Sequence, residues 1–76
     1  MTVMFQGVEY DDRHGGPFDR GDADSYYGRK FYPHYFVGGT NTSRMIRTDE
    51  MTEEEVAAYR AGYEHNEQNG FKKDWG

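Results

Sequence analysis

Read for the spacing of its apolar and polar positions, the chain has one segment with a clear period, Thr52 to Gly70, TEEEVAAYRAGYEHNEQNG. Val56, Tyr59 and Tyr63 recur at i, i+3 and i+7, which sets them along one stripe of a helix, with Ala57, Ala58 and Ala61 beside or between them. Local chemistry marks both ends. Thr52 and Glu55 form a capping box, in which the hydroxyl meets an orphan amide and the carboxylate reaches back. Met51 and Val56 are the flanking apolar staple, and Glu53, Glu54 and Glu55 lie where the helix dipole favours carboxylates. Asn69-Gly70 supplies a left-handed stop. Gly62, in mid-helix, costs about 1 kcal/mol relative to alanine. Close approach by another backbone or an aromatic ring is the expected compensation.

The pattern upstream is weaker. Thr2 to Tyr10 has β-favouring residues in imperfect alternation around Gly7, which fits a short or bulged strand or a frayed segment. Asp11 to Pro17 is a loop by its punctuation. Phe18 to Lys30 reads as a turn and short helix: Asp19 or Asp22 caps it, it runs through Tyr27, and Gly28 stops it with Arg29 and Lys30 near its negative end. In Phe31 to Val37, Pro33 excludes a central helix or central strand and holds Tyr32 extended. The turn-rich run 38–43, GGTNTS, separates Tyr35-Phe36-Val37 from Arg44-Met45-Ile46-Arg47, the expected arms of a β-hairpin. Phe71 and Trp75 are placed to fold back across the end of the long helix. The sequence therefore predicts a small single α+β domain over residues 17–76, with a short helix, a β-hairpin and one longer C-terminal helix packed by aromatics. Residues 1–16 precede it as a weakly structured segment or an edge strand.

Composition sharpens this picture. The 76 residues include no leucine, one isoleucine and four valines against thirteen aromatics, seven of them tyrosine. Rings must do the packing, and each tyrosine hydroxyl needs a partner or water. Rings in surplus of what a chain this short can bury should form an exposed patch, which a symmetric homodimer would cover. With no cysteine there is no disulfide, and neither a membrane-length apolar run nor a secretion-signal layout is present, so the expectation is a soluble, cytoplasmic protein with no membrane partner. The net charge of −5 conceals three blocks. Residues 1–28 and 48–67 are strongly acidic, whereas residues 29–47 carry Arg29, Lys30, Arg44 and Arg47 and no acid. Folding that preserved these blocks would give one acidic and one basic face.

The run DRGDADSYYGR, Asp19 to Arg29, resembles the signature of a small, uncharacterised protein family of bacteriophages and bacterial mobile elements. Pro33-His34, Tyr59-Arg60-Ala61-Gly62-Tyr63, Asn66, Gly70 and Lys73-Asp74-Trp75-Gly76 resemble its other landmarks, so the resemblance covers roughly residues 17–76. It implies a shared fold and a phage-type origin, with a host-cell cytoplasmic location, but no particular activity. The Tyr-x-x-Gly-Tyr pattern is also similar to that of small ribosome-modulation proteins, which are basic where this chain is acidic.

Catalytic and cofactor chemistry finds no support. Asp19, Asp22 and Asp24 lack the ligand spacing and distal bidentate glutamate of a calcium loop, and a capped, solvated acidic turn explains them better. His14, His34 and His65 contain no i, i+4 pair for zinc, and surface or ring-packed histidines are expected. Ser25 has no nucleophile-elbow context, Gly38-Gly39-Thr40 is too short to cradle phosphate, and Arg20 should pair with a neighbouring carboxylate. The expectation is a non-enzymatic binding protein without cofactor or metal.

Two surfaces compete for that role. The leading one is acidic: Glu53, Glu54, Glu55, Glu64 and Glu67, with Asp49 and Glu50, imitate a nucleic-acid backbone, and a phage-type protein would use them to modulate or inhibit a host or defence protein. The alternative is an RNA- or ribosome-associated module using stretch 29–36, in which Arg29 and Lys30 meet phosphates while Tyr32 and Tyr35 stack on bases. Against both stand plain readings: a solvated helix face for the acids, and the core for the rings.

Overall fold

A computed structural model describes residues 2–38 and 44–69. In chain order these form the hairpin β1 (Thr2–Phe5) and β2 (Val8–Asp11), helix α1 (Pro17–Tyr26), the hairpin strands β3 (His34–Phe36) and β4 (Met45–Arg47), a 3-10 turn (Thr48–Glu50) and helix α2 (Glu53–Asn69). The α+β class, the short helix, the hairpin and the longer helix are as the sequence predicts.

The two helices are each other's main partners, and they meet through a pattern written twice in the chain. Phe18-x-x-Gly21 on α1 faces Tyr59-x-x-Gly62 on α2. A Cβ added to Gly21 would stand 2.0 Å from the Tyr59 carbonyl oxygen, and one added to Gly62 would stand 2.0 Å from that of Phe18. Backbone therefore lies on backbone. The expected compensation for Gly62 is a carbonyl of α1, and Gly21 is its reciprocal. Phe18, Phe36, Ile46, Tyr59 and Ala61 are buried around this contact, with Tyr59 wholly enclosed. The stripe of α2 is covered by rings from the segment that follows α1, Phe31 on Tyr59 and Tyr63 and His34 on Tyr59, while α1 meets α2 through the two glycines.

Both caps of α2's first turn form as read: the Glu55 amide donates to Thr52 Oγ1 at 3.1 Å, and the Thr52 amide to Glu55 Oε1 at 2.9 Å. Gly28, at φ 71°, ends α1. Its amide bonds the Ser25 carbonyl at 3.0 Å while that of Arg29 bonds Asp24 at 2.7 Å, a Schellman closure. The start of α1 differs from expectation. The helix begins at Pro17 behind Gly16, not at Asp19 or Asp22, because proline at the first position needs no amide partner. Asp19 instead accepts the Gly15 amide at 2.9 Å.

The N-terminal segment is two strands, not one. Gln6 (φ 52°) and Gly7 (φ 80°) form a two-residue turn with both φ positive, and Thr2↔Asp11 to Phe5↔Val8 set an antiparallel register. Glutamine at the first turn position hides this from sequence, since that place favours Asn, Asp or Gly. The hairpin docks on the helices through Tyr10 against Phe18 (ring centroids 5.8 Å) and Phe5 against His65 (5.8 Å). The second hairpin pairs His34↔Arg47, Tyr35↔Ile46 and Phe36↔Met45. Its connecting run 39–43, the Gly70 stop and the tail residues Phe71 and Trp75 lie outside the described residues.

Alanine at Gly62 or Gly21 should destabilise, reversing the usual gain of about 1 kcal/mol for alanine over glycine in a helix, by ~1–3 kcal/mol or more through overpacking. Thr52→Ala should cost ~1 kcal/mol through the lost cap. Thermal denaturation of the three variants checks this, and a stabilised Gly62→Ala protein would remove the close contact from the account.

Candidate functional site

At the C-terminal end of α1 a buried carboxylate collects partners from three parts of the chain. Asp24 is 3 % exposed. The Tyr59 hydroxyl donates to its Oδ2, Arg20 and Arg29 each place a guanidinium nitrogen 3.5 Å from its Oδ1, and His34 Nδ1 stands 3.8 Å from Oδ2. A buried charge persists only when paired and hydrogen-bonded, and these contacts supply both conditions. Arg20 is the neighbour one helical turn earlier, so its expected pairing with a nearby carboxylate is met. The solvated reading of the Asp19–Asp24 cluster fails at Asp24, which faces α2.

The Tyr59 hydroxyl works in two directions. While donating to Asp24 it accepts the Tyr32 amide at 3.2 Å. Burial and the Asp24 carboxylate push this phenol well above its ordinary value of 10.0. One turn on, the Tyr63 hydroxyl donates to the Arg29 carbonyl at 2.7 Å. Phe31 packs edge-on against both rings at 5.3 Å. The helix stripe thus pins segment 29–32 at both ends, and the side chains of Arg29, Lys30 and Tyr32 project from a held backbone.

Those side chains line a cleft of about 470 Å³ together with Arg20, Asp24 and His34, within the ~300–1,000 Å³ range of small-ligand sites. Tyr27 and Phe36 complete its aromatic walls. The Arg29 guanidinium lies 5.0 Å from the Tyr27 ring centroid and that of Arg20 5.7 Å from Phe36, so cation–π contact aims both. Tyr32 stacks on His34, centroids 5.7 Å apart with planes at 28°, and remains 48 % exposed. His34 Nδ1 lies 2.8 Å from the Tyr32 carbonyl. A carbonyl only accepts, so Nδ1 carries the proton and Nε2 is left for another partner. Arg20 Nε is buried with no hydrogen-bond partner among the described residues.

Strand alternation divides the aromatic–basic stretch. His34 and Phe36 face the cleft side and are buried, whereas Tyr35 points across the sheet. There it meets Glu55 in a separate groove of about 640 Å³. Its hydrogen bond to Glu55 raises the Tyr35 phenol and holds the Glu55 carboxyl below its ordinary value. Of the residues expected to bind nucleic acid, Arg29, Lys30 and Tyr32 come together and Tyr35 does not join them. The rings of this stretch are neither all core nor all surface.

The acidic set is likewise distributed. At about 100° per residue, Glu53, Glu64 and Glu67 share one side of α2, with Arg60 between them, while Glu54 and Glu55 turn away toward the second groove. Glu53, Glu54 and Glu67 are exposed. Glu55 is taken up by the cap and Tyr35, and Glu67 lies 2.5 Å from the Ser25 hydroxyl. His65 packs against Phe5 and Phe18. Among the described residues no three His, Asp or Glu side chains gather as metal ligands, and no helix is long and apolar enough to cross a membrane.

Sequence reasoning missed Arg20, Asp24 and Tyr27 as cleft residues, and placed His34 in the stretch 29–36 without giving it a role. The signal for the first three is their position in the last two turns before the Gly28 stop, beside Arg29 and Lys30. Comparison with protein-family models, curated proteins and solved structures finds no match.

Tyr59→Phe leaves the Asp24 carboxylate and the Tyr32 amide each short of a partner, and should cost ~1–3 kcal/mol. A phenol raised on folding gives stability that is complete below the unfolded value near 10.0 and is lost as pH rises above it. Conversely, the lowered Glu55 carboxyl gives stability present above its unfolded value near 4.5 and lost as pH falls through the folded value. Melting temperature should therefore fall on both sides, with Tyr59→Phe flattening the alkaline limb alone and Tyr35→Phe, which removes a raised phenol and the bond that holds the Glu55 carboxyl down, weakening both limbs. An unchanged alkaline limb in Tyr59→Phe would refute the role given to that hydroxyl.

Proposed function

We propose that this protein is a non-enzymatic binding module whose recognition surface is the cleft at the end of α1, and that its ligand is a single-stranded segment of RNA. The observation that supports the reading is the convergence of Arg29, Lys30 and Tyr32 on one cleft, on a backbone held by two tyrosine hydroxyls. Cations meet phosphates, and an exposed ring stacks on a base without regard to its identity. Pre-ordering the segment lowers the entropy lost on binding. The acidic remainder of the chain repels nucleic acid elsewhere, which confines binding to this one surface.

A second reading keeps the phage-type inhibitor of a host or defence protein, acting through acids on α2. What favours it is the exposure of Glu53, Glu54 and Glu67. In that case Glu53→Lys, Glu54→Lys and Glu67→Lys together weaken the complex and flatten its salt dependence, and cleft substitutions leave it intact. A homodimer through the exposed rings Phe31 and Tyr32 would cover the cleft, so sedimentation of the free protein belongs with either test.

For RNA binding, Tyr32→Ala should cost ~1–3 kcal/mol of affinity through lost stacking. Arg29→Ala with Lys30→Ala should reduce the salt slope by about 0.7 for each phosphate contact removed, and Tyr35→Ala should change little. Fluorescence anisotropy with a short labelled oligoribonucleotide at low salt reads all three. No binding by the native protein to any such strand would end this reading.

A further inference from the structure

We infer that the cleft recognises a terminal phosphomonoester on a nucleotide, either a free nucleoside monophosphate or the phosphorylated end of a strand, and not an internal phosphodiester. The inference deepens the binding reading above and rests on the same cleft.

The charge of the cleft carries the argument. Arg20, Arg29 and Lys30 stand against the single carboxylate of Asp24, so its lining holds an excess of two positive charges before His34 is considered. An internal phosphodiester brings one negative charge. A phosphomonoester brings close to two at neutral pH, with three strong acceptor oxygens. Only the second matches the excess.

The donors fit as well. Arg20 Nε is buried without a hydrogen-bond partner among the described residues. Arg20 and Arg29 both lie at 3.5 Å from Asp24 Oδ1, too long and too shared to use up two guanidinium forks with five donors each. An anion beside them completes contacts that Asp24 leaves open. The end of α1 would otherwise repel an anion, because helix C-terminal carbonyls are negative. Here the carbonyls of Ala23, Asp24 and Ser25 are each covered by an amide from Tyr27, Arg29 and Gly28. Next to the cations, Tyr32 stacked on His34 provides a base platform. The cleft, at about 470 Å³, suits one nucleotide and not a run of them.

The test compares one short oligoribonucleotide in three forms, 5′-phosphorylated, 3′-phosphorylated and unphosphorylated, with a nucleoside 5′-monophosphate and its nucleoside, at fixed ionic strength. One phosphorylated form should bind about tenfold tighter than the unphosphorylated strand, the worth of one charge-assisted hydrogen bond. That increment should vanish in Lys30→Ala, whose side chain is exposed and whose loss does not threaten the fold, and persist in Arg60→Ala outside the cleft. Binding of the monophosphate but of no strand would uphold the inference and refute the single-strand reading. Equal binding of all three strands would overturn the inference and leave the single-strand reading standing. An increment unaffected by Lys30→Ala, or no binding of any probe, would also overturn it.

Discussion

The close approach of α1 and α2 at Gly21 and Gly62 is the constraint from which the other features of this molecule follow. With each glycine set against a carbonyl of the opposite helix, α1 and α2 approach until the long side chains beside the crossing must reach past it. Tyr59 extends to Asp24, and Tyr63 to the Arg29 carbonyl. A side chain on either glycine would part the helices and withdraw both hydroxyls from their partners. In a chain without leucine this contact replaces the aliphatic layer that usually sets the distance between helices.

A core made of rings has a consequence that an aliphatic core lacks. Tyrosine brings an apolar body with a polar tip, and the tip must end on a hydrogen-bond partner. Here the tips end on the backbone and on Asp24, so the core itself anchors the segment that carries Arg29, Lys30 and Tyr32. The buried carboxylate in turn requires cations around it, and those cations form the cleft. The contacts that stabilise the core therefore also shape the cleft, without a separate supporting layer.

The charge blocks of the sequence do not survive as faces of the fold. Asp24, from the acidic first block, sits among Arg20, Arg29 and His34. Glu55, from the acidic last block, turns to Tyr35 and the cap. The five glutamates that look alike along the chain hold different positions around α2, because a helix turns about 100° per residue. What remains is a local basic pocket in an acidic protein, lined by Arg20, Arg29 and Lys30.

Features governed by neighbours a few residues apart were legible in the sequence: the capping box at Thr52 and Glu55, the Gly28 stop and the helix cost of Gly62. Each depends on backbone chemistry within one turn, which residue identity alone specifies; the second hairpin was legible instead from the turn-rich run between two apolar arms. The start of α1 and the Gln6–Gly7 turn were misread because Pro17 and Gln6 fit those places through φ preference or tolerance, not through a side-chain signal. Whether a ring or acid was core, surface or site was decided only by tertiary structure. Tyr32 and Tyr35 have the same chemistry, yet strand alternation and the hold of Tyr59 send them to different grooves. Asp22 and Asp24 are the same residue type two positions apart, yet only Asp24 accepts the Tyr59 hydroxyl of α2. Such outcomes depend on which residues distant in sequence share a volume, and the crossing of the two glycines settles that here.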